Sequence, residues 1–79
     1  MQRLTLAVTA VQEPGFIVHL EPEGMTYEVT PDSGVRLQFG PSPSGEAVEV
    51  SWVPGGLVVG RPADADASVT TDRGEPLDW

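Results

Sequence analysis

The stretch that decides the fold runs Phe16-Ile17-Val18-His19-Leu20-Glu21-Pro22-Glu23-Gly24-Met25-Thr26-Tyr27-Glu28-Val29. Phe16, Val18 and Leu20 alternate with Ile17 and His19; beyond the Pro/Gly break, Met25, Tyr27 and Val29 alternate with Thr26 and Glu28. A side-chain period of two belongs to a strand with one buried and one wet face. Directly opposed residues of an antiparallel pair point to the same face, so a hairpin loop must preserve that parity. Pairing Leu20 with Met25 does so: Val18 meets Tyr27, Phe16 meets Val29, and Gly24 ends the loop, where a left-handed backbone is wanted.

The same rhythm extends in both directions. Leu4, Leu6 and Val8 stand against Thr5, Ala7 and Thr9, Val35, Leu37 and Phe39 against Arg36 and Gln38, and Val48, Val50 and Trp52 against Glu49 and Ser51. This reading places Trp52 in the core. Leu57, Val58 and Val59 form a short sixth strand after Pro54-Gly55, and a last polar strand covers 68–71. A hairpin at Pro54-Gly55 is the expected connection; because L-Pro followed by Gly favours a type II turn, whose twist suits a two-residue hairpin poorly, a looser turn using Gly56 is the alternative. Short loops make sequential strands hairpin partners. Val29 is therefore expected opposite Val35, Tyr27 opposite Leu37 and Met25 opposite Phe39, with Glu28 facing Arg36. The expected fold class is all-β, an antiparallel meander of six to seven short strands closing as a small barrel or a two-layer sandwich. It is a single domain over 1–79, with an acidic, turn-rich C-terminal segment from about 61 to 79.

Composition narrows the function classes. The sequence has no Cys, hence no disulfide framework, thiolate metal site or cysteine nucleophile, and a reducing, cytoplasmic setting is expected. Twelve acidic residues face four basic ones, all Arg, for a net charge of −8. Nucleic acid and anionic membranes both demand clustered cations, so neither is an expected partner. Residues 4–11 are too short an apolar run for a signal peptide and read as a strand; no later run approaches a membrane span.

Without Cys or Lys, His19 is the single candidate for a near-neutral base, and the alternation puts it on the wet face of the second strand. No GxSxG, HExxH, P-loop or GxGxxG pattern is present, so neither a catalytic residue nor a cofactor is assigned. Asp64, Asp66, Ser68, Thr70, Asp72 and Glu75 follow the oxygen-ligand spacing of a calcium loop. Val69 occupies the position where that loop needs Gly, and no amphipathic helix flanks it, so no metal is assigned either.

What remains is a non-enzymatic accessory or protein-binding module, whose partner is another protein or the chain itself. A very small enzyme using His19 with carboxylates, or a structural subunit of a larger assembly, are the alternatives. The small core and two outward apolar residues, Ile17 and Val58, point to a homodimer or an obligate complex. The expected contact region is the acidic tail 64–79, tipped by Leu77 and Trp79, since Trp is enriched at binding hot spots; the competing reading for Trp79, and the weightier one, is that it folds back over an open end of the core.

Overall fold

The computed structural model describes residues 3–77 and contains seven strands with no helix among them. They are β1 (Leu4–Val8), β2 (Phe16–Glu21), β3 (Met25–Val29), β4 (Val35–Phe39), β5 (Glu49–Val53), β6 (Gly56–Gly60) and β7 (Ala67–Thr71). They form two sheets, one of three strands in the order β1-β4-β7 and one of four in the order β3-β2-β6-β5. Neither closes into a barrel.

The β2–β3 hairpin has the register its loop parity requires: Leu20 opposite Met25, Val18 opposite Tyr27, Phe16 opposite Val29. Its loop closes through the Gly24 N–H donating to the Leu20 carbonyl at 3.0 Å, with Gly24 at φ +75°. At the next turn the meander fails. Thr30 and Ser33 exchange two backbone hydrogen bonds in a tight turn, and the chain then leaves the sheet. β4 pairs with β1 and β7, so Val35, Leu37 and Phe39 never meet β3, and Arg36 lies beside Ala7 and Thr70 rather than Glu28. The physical reason is burial: one long meander would leave its apolar face open, whereas two layers cover each other.

The four-stranded sheet is mixed rather than antiparallel throughout. β6 lies parallel to β2, with Val18 beside Leu57 and Leu20 beside Val59. β3, β4 and β5 supply the long connection that parallel neighbours need. β5 and β6 are joined by a two-residue loop, Pro54-Gly55, with Val53 opposite Gly56 and Gly55 at φ +77°. The connection is thus the two-residue hairpin rather than its looser alternative, and Gly56 belongs to the strand. A Cβ at Gly56 would stand 2.4 Å from the Ile17 carbonyl oxygen, so only glycine lets β6 approach β2 this closely.

The core draws on both layers: Val18, Leu20, Tyr27, Val29, Leu57 and Val59 from the mixed sheet, with Val35, Leu37, Phe39 and Val69 from the antiparallel one. Among the described residues no helix is long and apolar enough to cross a membrane.

Candidate functional site

Burial across the inner face of the mixed sheet stops at one strand boundary. In β6, Leu57 is 8% exposed and Val59 is fully buried; their cross-strand partners in β5, Trp52 and Val50, are 79% and 51% exposed. Opposed residues of an antiparallel pair share a face. Trp52 and Val50 therefore point to the core side, as the alternation expects, but nothing lies over them. The expectation that Trp52 is a core residue is overturned. The cause is the unequal strand count of the layers, since the three-stranded sheet ends at β1 before it covers β5.

Leu6, Val8, Phe16, Val50, Trp52 and Leu57 line the resulting groove of about 310 Å³ between β1 and β5. Its lining includes no charged residue, in a chain of net charge −8. Both strands bordering it are edges of their sheets.

The hydrogen-bond phase identifies which backbone groups these edges present. Gly40 N–H donates to the Asp66 carbonyl at 2.8 Å and Asp72 N–H to the Gly34 carbonyl at 3.2 Å, so the even-numbered residues of β4 bond β7. Its odd-numbered residues then bond β1 through Leu4, Leu6 and Val8, leaving the N–H and C=O groups of Thr5 and Ala7 directed outward. In the mixed sheet, Ile17 N–H donates to the Gly55 carbonyl and Arg61 N–H to the Glu21 carbonyl, so Leu57 and Val59 bond β2. Gly56, Val58 and Gly60 bond β5 at Val53, Ser51 and Glu49, and the backbone groups of Val50 and Trp52 form the open edge.

The other side of the antiparallel sheet is covered. Leu77 N–H donates to the Val69 carbonyl at 2.9 Å and Thr71 N–H to the Glu75 carbonyl at 2.8 Å, and Thr70 bridges Pro76. The segment 75–77 thus lies along the β7 edge. Leu77, expected to contact a partner, is half-buried and packs against the core. Trp79, the other expected contact, lies outside the described residues.

The remaining candidates are dispersed. His19 is half-buried on the outer face of the mixed sheet, between Thr26 and Val58, with Ile17 on the same strand and face. The calcium-like spacing is pulled apart, because Ser68 and Thr70 lie within extended β7 while Asp64 precedes that strand and Asp72 and Glu75 follow it. A strand advances about 3.3 Å per residue, which keeps its two ends from converging on one ion. Among the described residues no three His, Asp or Glu side chains gather as metal ligands.

Two polar contacts tie loops together. Asp64 accepts the Ser42 hydroxyl at 2.6 Å and the Ser44 N–H at 2.8 Å, latching the β4–β5 loop onto the β6–β7 loop. The Ser42 hydrogen bond, then those from Ser44, hold the Asp64 carboxyl below its usual range. Arg61 pairs with Glu23 on the β2–β3 loop and donates to the Ala65 carbonyl. Burial, and secondarily the charge of Glu23, raises the Tyr27 hydroxyl above its ordinary pKa.

Sequence reading missed the groove because alternation assigns a face and is silent on whether that face is covered. The available signal was the absence of charge from Leu4 to Val11 in so acidic a chain. No family model, curated protein or solved structure is measurably similar to this chain.

Proposed function

We propose that this chain is a non-enzymatic protein-binding module and that its contact surface is the β1–β5 edge. The observation that carries the reading is Trp52, 79% exposed on the core side of its sheet beside an uncharged apolar groove. Large exposed apolar groups bounded by open strand edges mark interaction sites, where a further strand adds backbone hydrogen bonds and its alternate side chains fill the groove. An intracellular setting, from the absence of Cys, belongs to the same proposal.

The edge takes over the role that the sequence reading gives to the acidic tail, because 75–77 is engaged on β7. A pull-down from the source cell compares the native chain, the Trp52→Glu variant and a chain ending at Asp72. Trp52 is exposed, so Trp52→Glu retains the fold, checked by its circular-dichroism spectrum. The expected result is a captured protein that Trp52→Glu loses. Equal capture by the native chain and Trp52→Glu, with loss only in the shortened chain, would return the contact to the tail.

A further inference from the structure

We infer that the strand laid along this edge is a second copy of the chain, β1 of each protomer pairing with β5 of the other. The inference rests on the reading of the β1–β5 edge as the contact surface. It starts from strand direction. β3 and β4 are joined by the tight Thr30–Ser33 turn and run oppositely, β2 is antiparallel to β3, and β1 is antiparallel to β4. β6 is parallel to β2 and β5 antiparallel to β6. It follows that β1 and β5, in different layers on the same side of the molecule, run in the same sense.

A two-fold axis along that shared direction exchanges the layers. It sets β5 of the copy beside β1 in the three-stranded layer, and β1 of the copy beside β5 in the four-stranded layer. Each layer becomes a continuous sheet of seven strands, and both open edges are used at once. The step between the layers is therefore complementary to itself, as an isologous contact requires.

The backbone groups interleave as this pairing demands. In a parallel ladder a residue bonds the two residues flanking its register partner, while side chains in register share a face. The outward groups of β1 belong to Thr5 and Ala7, whose side chains point to solvent; those of β5 belong to Val50 and Trp52, whose side chains point to the core. Ala7 in register with Ser51 of the partner subunit thus bonds both Val50 and Trp52 of the partner subunit. Leu6 then stands beside the partner's Val50 and Val8 beside the partner's Trp52, all on the core side.

Charge and shape select this arrangement over its rivals. Two copies of a chain at −8 repel, so they must meet on uncharged surface, and β1 carries no ionisable side chain. Glu49, on the outer face of β5, would stand beside Thr5 of the partner subunit rather than another carboxylate. The edge strand β3 carries Glu28, and the β7 edge is occupied by 75–77. A two-fold perpendicular to the sheets, pairing β1 with β1, would drive the two projecting β5 strands into each other.

The absence of cysteine makes the geometry directly testable. Within one chain Ala7 and Ser51 stand on opposite outer faces, so a Cys at each can bond only between copies. Light scattering of the native chain over about 1 to 100 µM is expected to give twice the monomer mass, and Trp52→Glu to halve it. Under mild oxidation the Ala7→Cys/Ser51→Cys variant is expected to run as a covalent dimer, and each single variant as a monomer. A native chain that stays monomeric throughout overturns the inference, as does a dimer cross-linked through Ala7→Cys alone. The binding-module reading stands or falls separately: a monomer that captures another protein in a Trp52-dependent way retains it, and a monomer that captures nothing ends both.

Discussion

At the scale of single residues, the polar contacts that matter join segments distant in sequence. Asp64 is the clearest case, since its carboxyl accepts from Ser42 on one oxygen and from Ser44 on the other, an arrangement that needs both oxygens as acceptors and so favours the ionised form. Both hydrogen bonds favour the charged form, so the folded-state pKa lies below that of the unfolded chain. A depressed carboxyl contributes stability above its unfolded pKa and loses it as pH falls through the folded value. The contribution is therefore present at neutral pH and is lost progressively as pH falls from about 4 through the lower folded-state pKa. The amide-exchange protection factors of Ser44 and Glu46, taken against the intrinsic rate at each pH, are expected to fall across that acid range in the native chain. Asp64→Asn is expected to show fast exchange there already at neutral pH; slow exchange in that variant would mean that Asp64 does not hold the loop.

At the scale of elements, local geometry was legible in the sequence and neighbour choice was not. The β2–β3 register follows from parity across one short loop, and Gly24 ends that loop with the positive φ it was chosen for. Parity also let β3 pair with β4, but it cannot distinguish a hairpin within one sheet from a turn between layers, since both keep Val35, Leu37 and Phe39 inward. The contiguous Leu57-Val58-Val59 run, bracketed by glycines, carried a further signal: β6 is an interior strand with a neighbour on each edge, and Val58 on its outer face is half-buried. The tail has an element's role as well, since 75–77 extends the antiparallel sheet and Leu77 covers the core. Leu77→Ala is expected to cost about 1 to 3 kcal/mol, read as a lower urea midpoint at unchanged slope. A residue that served only a partner would leave that midpoint where it is.

At the scale of the whole molecule, the distribution of charge separates a second copy from a basic protein as the occupant of the groove. Twelve acidic residues against four Arg put −8 on each chain, yet the groove and β1 carry none of it. For a basic partner the acidic surface attracts, and added salt weakens association by screening that attraction. For two identical chains the same surface repels at long range while the contact itself is apolar and backbone-mediated. Salt then screens only the repulsion. The Debye length shortens from about 14 Å at 0.05 M to about 4 Å at 0.5 M, which removes most of the interaction between carboxylates on opposite protomers. The dimer dissociation constant, measured by sedimentation equilibrium across that range, is therefore expected to fall as salt rises. The thermal midpoint should rise with protein concentration at either salt level, because a dimer that binds only folded chains stabilises them by mass action. An association that weakens steadily with salt would place an oppositely charged surface in the contact, which the β1–β5 edge does not contain.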